Sequence, residues 1–255
     1  MIFDSHMHTK FSADSQMSAA EALARASELN LGVVFTEHFD YALELDGKSF
    51  TFDAAAYMNE YANLRGDTLR LGVEVGLREY ARAANVEFLT QAAFDFVIGS
   101  IHLVDDMDIY YPDYYANKDK ATAYGKYFAQ MAAEVALADF DALGHIDYIC
   151  RAAPYDNPEI DYPTFSAQID AVLKIVVERG KALELNTRRF YSPRAIAELV
   201  PVYKKYRDLG GRYVTIGSDA HKVGAIGNYF DRALDFAAEL DLTPVTFCRR
   251  RLEKF

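Results

Sequence analysis

All six histidines of the chain follow apolar stretches that predict β-strands. They are His6, His8, His38, His102, His145 and His221. Each lies at the carboxyl end of its predicted strand, and none lies on a predicted helix. One histidine at such a position is usually a hydrogen-bonded core or loop residue, but six at equivalent positions are hard to reconcile with that explanation. Imidazoles gathered at one edge predict a site for zinc, manganese or iron.

The first two histidines follow one predicted strand. Ile2 and Phe3 open an apolar strand that ends in His6 and His8. Because side chains alternate between the two faces of a strand, both imidazoles point to the same side. A lone His-x-His pair is more often solvated than ligated. Glu74 and Asp219, which follow two other predicted strands, supply carboxylate oxygens and favour the metal interpretation.

These strand ends belong to a regular alternation of strands and helices. After the first strand, further strands are predicted over 32–36, 69–75, 94–101, 141–144, 181–186 and 212–218. Helices are predicted over 18–30, 53–64, 80–92, 119–138, 162–179, 192–210 and 225–240, the first opened by a capping box at Ser18 and Glu21. The segments 105–116 and 151–161 are predicted as loops, and the basic tail from Thr243 is assigned to no element.

Strand–helix–strand units of this length imply parallel pairing. Seven such strands predict an α/β fold, a distorted (β/α)7 TIM-like barrel, as a single domain over residues 1–255. An open doubly wound sheet is the alternative. Both architectures place their ligands at the carboxyl ends of the strands, where the histidines lie.

Composition limits the partners and the compartment. The formal charge of −11 argues against nucleic acid, whereas an anionic substrate stays possible because bound metal ions invert the local potential. Cys150 and Cys248 form no disulfide pattern, which favours a reducing compartment. There is no signal-peptide pattern and no apolar run of membrane-spanning length, so a cytoplasmic protein without a membrane partner is predicted.

Six motifs resemble the polymerase-and-histidinol-phosphatase (PHP) family and span residues 6 to 221. They are His6-x-His8, Thr36-Glu37-His38, Gly72-Val73-Glu74, Gly99-Ser100-Ile101-His102, Gly144-His145-Ile146-Asp147 and Ser218-Asp219-Ala220-His221. The Gly-His-Ile-Asp and Leu-Glu-Leu-Asn-Thr stretches, together with the length, are similar to the stand-alone histidinol-phosphate phosphatase branch.

The resemblance implies three divalent transition-metal ions. The first would be held by His6, His8, Glu74 and Asp219; the second by Glu74 as a bridge with His102 and His145; the third by Asp14, His38 and His221. Asp14 is alternatively a solvated loop carboxylate. Glu37 neighbours a ligand, and it either supports the ligands from behind or is solvated.

The resemblance also implies the hydrolysis of L-histidinol phosphate to L-histidinol and phosphate, in histidine biosynthesis. A metal-bridging hydroxide would attack phosphorus, with catalytic roles for Glu74, Asp219 and His221. Three ions carry +6 and the three carboxylates −3, so the site would attract a phosphate dianion. Whether Asp219 or His221 relays protons stays open.

The residues that would bind substrate are assigned by position alone. Arg151 and Arg188 follow strand ends and suit bidentate contact with phosphate, with Arg189 as an alternative to Arg188. Four tyrosines could line a pocket for an imidazole or belong to a solvated loop: Tyr110, Tyr111, Tyr114 and Tyr115.

Two other functions are compatible with the sequence. One is a PHP phosphoesterase acting on another small phosphate ester or on nucleic-acid ends, although the acidic balance weakens the nucleic-acid version. The other is a metal-stabilised interaction module without turnover, whose expected signature is a lost ligand. No ligand position of the motifs is lost. The sequence predicts no oligomeric state.

The nine implied ligand positions predict about three transition-metal ions per chain. Elemental analysis of protein purified without chelator measures this number. One ion or fewer per chain, with no increase after addition of Mn²⁺ or Zn²⁺, would contradict a trinuclear centre.

Overall fold

The computed structural model describes all 255 residues and contains one main sheet of nine strands. Its strands are β1 (Phe3–Met7), β2 (Gly32–Phe39), β3 (Leu69–Gly76), β4 (Phe96–Ser100), β5 (Ala142–Leu143), β6 (Ala182–Asn186), β7 (Tyr213–Gly217), β8 (Thr243–Cys248) and β9 (Arg251–Lys254). Its helices are α1 (Ala19–Glu28), α2 (Ala54–Tyr61), α3 (Arg82–Thr90), α4 (Lys120–Val135), α5 (Tyr162–Glu178), α6 (Pro193–Asp208) and α7 (Phe230–Glu239).

The strands lie in the sheet in the order in which they occur in the chain, and β1 to β8 pair in parallel. The first strand also meets the seventh: Met7 and Ala220 form a parallel bridge, and the Asp219 N–H donates to the His6 carbonyl at 2.8 Å. These contacts close the ring of β1 to β7. The predicted α/β barrel is confirmed, and the reversal of strand order that a doubly wound sheet requires is not present.

The helices pack on the outside of the barrel through one apolar face each. The α1 capping box is confirmed, since the Glu21 N–H donates to Ser18 Oγ at 3.3 Å and the Ser18 N–H to Glu21 Oε2 at 3.0 Å. In α7 the buried residues Phe230, Ala233, Phe236 and Ala237 recur at helical spacing. No helix is long and apolar enough to span a membrane.

The chain end is structured, which the sequence analysis did not predict. Strand β8 pairs with β7, and β9 returns antiparallel to β8. Val245 and Phe247 of β8 belong to a buried cluster with Phe3, Val34 and Phe96 at the amino-terminal end of the barrel. This hairpin is not predicted from the sequence because its first strand contains a proline and its turn consists of arginines, and both are unusual at such positions.

The expectation that residues 105–116 form a polar loop is partly wrong. A short hairpin pairs Leu103–Val104 with Met107–Asp108, and a 3₁₀ helix covers Pro112–Tyr115. Tyr114 and Tyr115 are buried in the core. Their hydroxyls donate to the Ala123 and Ile109 carbonyls at 2.8 and 2.7 Å, which is how a phenol is accommodated in an apolar interior.

The role of β8 as the base of the barrel predicts a large effect of truncating Phe247. Its ring stacks on Phe96 at 5.1 Å and is 6% exposed. Phe247→Ala should lower the free energy of unfolding by about 3–5 kcal/mol, measured by urea denaturation. Phe255→Ala, at a position 39% exposed, is the control and should change it by less than about 1 kcal/mol. Equal effects of the two substitutions would show that β8 is not part of the core.

Candidate metal centre and phosphate site

Glu74, at the carboxyl end of β3, is the centre of the site. It is fully buried, and its two oxygens face histidines from four different strand ends. Oε1 lies 2.8 Å from His145 Nε2 and 3.3 Å from His102 Nε2. Oε2 lies 3.0 Å from His38 Nδ1 and 3.3 Å from His6 Nε2. Four imidazoles around one buried carboxylate are a set of groups that could hold a metal ion.

Asp219 supplies the second buried carboxylate. Its backbone has a φ of 53°, in the left-handed region that Asp adopts more readily than most residues. Oδ1 lies 3.5 Å from both His8 Nε2 and His221 Nδ1, and Oδ2 lies 2.6 Å from Arg151 Nη2. Asp219 therefore joins the histidine cluster to a guanidinium.

Asp14 lies at the outer side of the cluster. Its Oδ2 is 3.0 Å from His221 Nε2 and 3.6 Å from His38 Nε2. The rings of His38 and His221 both stack on His8, with centroids 4.1 and 4.2 Å away. The side chain of Asp14 is 40% exposed, so this is the open side of the site.

The structure thus brings all nine predicted ligand residues to one mouth of the barrel. Within the cluster, four sets of three residues have potential ligand atoms all within 4.8 Å of one another. The sets are His6, Glu74 and His145; His6, His8 and Asp219; His38, Glu74 and His102; and His8, His38 and His221.

The hydrogen bonds made by Nδ1 of His6 and His8 leave Nε2 of each ring to face the cluster. His6 Nδ1 lies 2.6 Å from Glu184 Oε1, and because a carboxylate only accepts, Nδ1 carries the hydrogen. Ser12 Oγ gives its only hydrogen to Glu37 Oε2 at 2.6 Å, so it accepts from His8 Nδ1 at 3.0 Å. His6 Nε2 and His8 Nε2 face each other at 3.1 Å, so a cation must lie on at least one of them: a proton when no metal is bound, or a metal ion held by both. The two Nε2 atoms therefore fit a metal ion.

Glu74 Oε2 and His38 Nδ1 lie 3.0 Å apart but are not aligned for a hydrogen bond, and neither atom makes one elsewhere. His145 Nδ1 is also buried without a hydrogen-bond partner. Such atoms are rare in protein interiors because they lose solvation without compensation. A metal ion bound by Glu74 Oε2 and His38 Nδ1 would supply the missing partner.

The charges of the site act on its histidines in opposite directions. Burial alone lowers the pKa of His6, but the carboxylates of Glu184, Glu74 and Asp219 outweigh it and raise that pKa well above its usual value. For His8, burial and the neighbouring His38 lower the pKa well below its usual value. Without a metal, carboxylates at this mouth attract protons, so metal ions and protons compete for the same imidazoles.

Two carboxylates that the sequence analysis missed orient the ligands. Glu184 accepts from His6 Nδ1 and from the His145 N–H, the latter at 2.7 Å. Asp40 Oδ1 lies 3.0 Å from His102 Nδ1 and leaves its Nε2 free to face Glu74. Glu184 could have been identified from the sequence, because it is a lone carboxylate within the apolar strand β6. Nothing in the sequence distinguishes Asp40 from other acidic residues.

Two glycines make room for these supporting carboxylates. A Cβ atom at position 76 would lie 1.9 Å from Asp40 Oδ1. A Cβ atom at position 217 would lie 2.5 Å from Glu184 Oε1 and 2.4 Å from His6 Cβ. Gly76 and Gly217 are therefore required by close approach rather than by backbone conformation.

Glu37 is not solvated, which settles the alternative that its sequence left open. Its side chain is fully buried and accepts from the Thr9 N–H at 2.9 Å and from Ser12 Oγ at 2.6 Å. Through Ser12 it fixes the ring of His8 from behind.

The two arginines assigned to phosphate lie beside the cluster and line a common cavity of about 250 Å³. Arg151 Nη2 donates to Asn186 Oδ1 at 3.1 Å and contacts Asp219, while its buried Nε has no partner. Arg188 Nη1 donates to the Asp219 carbonyl at 2.8 Å, and its side chain is 45% exposed. Asn186, the hydrogen-bond partner of Arg151, is a residue that the sequence patterns did not single out.

Arg189, the alternative to Arg188, points away from the cavity. Its Nη1 lies 2.9 Å from Asp147 Oδ2, and its Nη2 lies 2.6 Å from Glu159 Oε1. All three side chains are almost fully buried. This ion network ties the loop that carries Arg151 to the end of β6.

The tyrosines divide into two pairs. Tyr110 and Tyr111 line the cavity together with Asp108 and Tyr148. Tyr114 and Tyr115 are core residues, so their assignment to a pocket or a solvated loop is wrong, for the packing reason given above.

A parallel α/β barrel with histidines and carboxylates clustered at its carboxyl-terminal mouth defines a class of metal-dependent barrel enzymes. Comparison with known proteins narrows this class. A family model described as "PHP domain" matches residues 4–188, and the chain belongs to the PHP family.

Three similar proteins are informative. A probable histidinol-phosphatase from Clostridium acetobutylicum is 41% identical over 256 residues, covering all of both chains. A histidinol-phosphatase from Lactococcus lactis is 29% identical, covering 86% of this chain and 83% of the relative. A crystal structure of histidinol phosphate phosphatase from Lactococcus lactis, complexed with zinc, L-histidinol and phosphate, has a TM-score of 0.92 at 27% identity and covers 99% of both chains.

The buried network of Arg189 predicts a structural role for this residue. Arg189→Gln leaves Asp147 and Glu159 buried without their counterion, which typically costs about 3–5 kcal/mol. Urea denaturation should show a loss of this size. Arg194→Gln, at an exposed position of α6, is the matched control and should change stability by less than about 0.5 kcal/mol. Adding Glu159→Gln to Arg189→Gln should recover part of the loss, and a fully additive double variant would contradict the network.

Proposed function

We propose that this chain is a metal-dependent phosphomonoesterase that hydrolyses L-histidinol phosphate to L-histidinol and phosphate in histidine biosynthesis. The observation that carries the proposal is the cluster of nine histidines and carboxylates with two arginines on one wall of the same cavity. The name of the relative that is 41% identical over its full length supports this substrate. We also propose that residues 1–255 form a single PHP-type barrel domain.

We propose three divalent transition-metal ions, zinc, manganese or iron, held by the nine residues of the cluster. His6, His8, Glu74 and Asp219 would hold the first; Glu74, His102 and His145 the second; Asp14, His38 and His221 the third. When bound, such ions polarise phosphoryl oxygens and make water a nucleophile at neutral pH. Glu184, Asp40 and Ser12 direct the imidazoles of three ligands, and such supporting partners typically contribute 10–100-fold to metal affinity.

Arg151 and Arg188 bind the phosphate in this proposal. Arg151 is held by Asp219 and Asn186, and its unpartnered Nε still has a hydrogen to donate. Arg188 is anchored at the Asp219 carbonyl and reaches the open side of the cavity. Two guanidinium groups on one wall fix the orientation of the phosphoryl group by charge-assisted hydrogen bonds.

Asp219 and His221 have catalytic roles in this proposal. Burial raises the pKa of Asp219, but Arg151, His6 and other neighbours outweigh it and lower that pKa well below its usual value, so this carboxylate is ionised. As a weak base and a fixed anion, Asp219 orients the attacking water by accepting its hydrogen bond. His221 lies between Asp14 and Arg188 on the cavity wall, where a ring nitrogen not engaged by a metal ion relays a proton to the leaving oxygen.

The far side of the cavity suits the amine and imidazole of histidinol. Asp108 is a half-buried carboxylate that lines the cavity with Tyr110 and Tyr111, whereas Tyr148 lies against Arg151 and His145. Its neighbours Asp105 and Asp106 are engaged elsewhere, by Lys126 and Arg78. Asp108, which accepts only the Tyr110 N–H, is thus the acidic group of this segment that lines the cavity without an ion-pair partner.

We also propose a cytoplasmic location. The support is redox chemistry: Cys150 and Cys248 are both free thiols, and Cys150 is buried without a partner cysteine. Fractionation of cells followed by immunodetection tests this proposal.

A panel of phosphate monoesters tests the substrate. With metal-replete protein, histidinol phosphate should exceed p-nitrophenyl phosphate and common sugar phosphates in kcat/KM by at least about a hundredfold, because only it satisfies Asp108 and the tyrosines as well as the arginines. Comparable kcat/KM values across the panel would reduce the function to that of a general phosphoesterase.

The phosphate assignment predicts the effect of removing each arginine. Arg151→Ala and Arg188→Ala should each lower kcat/KM for histidinol phosphate by about ten- to a hundredfold, since one charge-assisted contact contributes roughly 1.5–3 kcal/mol. Metal content should stay unchanged. Arg194→Ala, an exposed arginine away from the cavity, is the control. Wild-type kinetics in both variants would remove the arginines from the phosphate site.

A further inference from the structure

The amino-terminal end of the barrel, opposite the metal centre, carries a second cavity of about 720 Å³. Its charged lining residues are Arg65, Asp67, Arg70, Arg249, Arg251 and Glu253. Four guanidinium groups and two carboxylates give a local charge of +2 within a chain of net charge −11. Strand β3 separates this end from Glu74 by five residues, which is roughly 16 Å of extended chain.

Two of the four arginines have no counterion. Arg65 pairs with Asp95, and Arg70 Nη2 lies 3.3 Å from Glu253 Oε2. Arg249 and Arg251 are exposed, and no carboxylate lies within 4.0 Å of either guanidinium. In an acidic protein, two unpaired cations beside one cavity are available to a ligand.

The fold does not require these two side chains. The turn between β8 and β9 is anchored through its backbone, because the Arg249 N–H donates to Asp95 Oδ1 at 2.9 Å and the Arg250 N–H to the Asp95 carbonyl at 2.8 Å. The Arg250 guanidinium contacts Asp141 and Asp139. Both turn residues have positive φ values, 50° and 62°, where Asn-Gly is the usual sequence. Arginines therefore occupy a left-handed turn conformation in which Asn and Gly are the usual residues.

Arg70 adds a buried donor without an acceptor. Its guanidinium lies over the Phe3 ring at 5.5 Å and its side chain is 12% exposed. Nη1 donates to the Gly66 carbonyl, whereas Nε is buried and makes no hydrogen bond. Such an orphaned N–H is rare in a protein interior, and because Arg70 lines the cavity it is a candidate donor to a bound acceptor.

We propose that this cavity is a second, non-catalytic binding site for a small oxyanion of charge −2 or more, of the phosphate type. Arginine forks match the geometry of phosphate, and the volume is within the range of small-molecule sites. The lining includes Ala62 and Cys248 as its hydrophobic residues, so the site does not suit an apolar ligand. The negative charge of the whole chain opposes a nucleic acid or an anionic membrane as the occupant.

Equilibrium dialysis of metal-replete protein against labelled inorganic phosphate tests the site. The wild type should bind phosphate at two classes of site, one of them in the metal-centre cavity. Arg249→Gln with Arg251→Gln should weaken one class by at least about tenfold and leave kcat at low phosphate unchanged. Arg194→Gln with Lys204→Gln removes two exposed cations from α6 and should leave both classes intact.

Arg151→Ala should weaken phosphate binding in the metal-centre cavity only, so the two variants assign each class of site to one cavity.

Adenosine monophosphate as competitor distinguishes the source of the oxyanion. Stronger competition than by phosphate itself indicates an organic phosphate, and equal competition indicates the free ion. Should the double variant lose its circular-dichroism spectrum, Arg251→Gln alone serves instead. Unaltered phosphate binding by the folded variant, or a second class that saturates only above about 10 mM, overturns the proposal.

Discussion

The structure depends on the concentration of charge around Glu74. A buried carboxylate surrounded by imidazoles from four strand ends is unfavourable unless cations or protons compensate it. The barrel provides this arrangement because its parallel strands all end at the same mouth. Metal ions suit this role, since His6 Nε2 and His8 Nε2 lie 3.1 Å apart, a spacing at which both atoms can bind one cation.

Buried groups around the cluster hold its histidine side chains in this arrangement. Glu184 and Asp40 each accept the hydrogen of one ligand, and Glu37 acts on His8 through Ser12. These supporting carboxylates are themselves buried, so they depend on glycines at close contacts and on strand register rather than on solvent. The geometry of the centre therefore depends both on the clustered residues and on the buried groups that orient their side chains.

The two ends of the barrel use arginine differently. At the metal centre, Arg151 is paired with Asp219 and Arg189 is enclosed by carboxylates, so their geometry is fixed before a ligand arrives. At the opposite end, Arg249 lies in a turn that is anchored through its backbone and Arg251 begins β9, and neither side chain has a counterion. Arginines held in a fixed geometry suit the stabilisation of a transition state at the metal centre. Arginines without a counterion suit the reversible binding of an anion at the opposite end.

The sequence by itself determined the alternation of strands and helices, the capping box of α1 and the positions of the nine clustered residues. Hydrophobic periodicity is a local property of the sequence, so it can be read before the fold is known. The strand ends could then be placed together because parallel strands of a barrel all end at the same mouth. Only the tertiary structure decided that Glu184 and Asp40 support the histidines, that Arg189 is internal, and that Tyr114 and Tyr115 lie in the core. It also decided that β8 forms the base of the barrel. Each of these depends on contacts between residues far apart in the chain, because a buried polar group is defined by its partner and not by its neighbours in sequence.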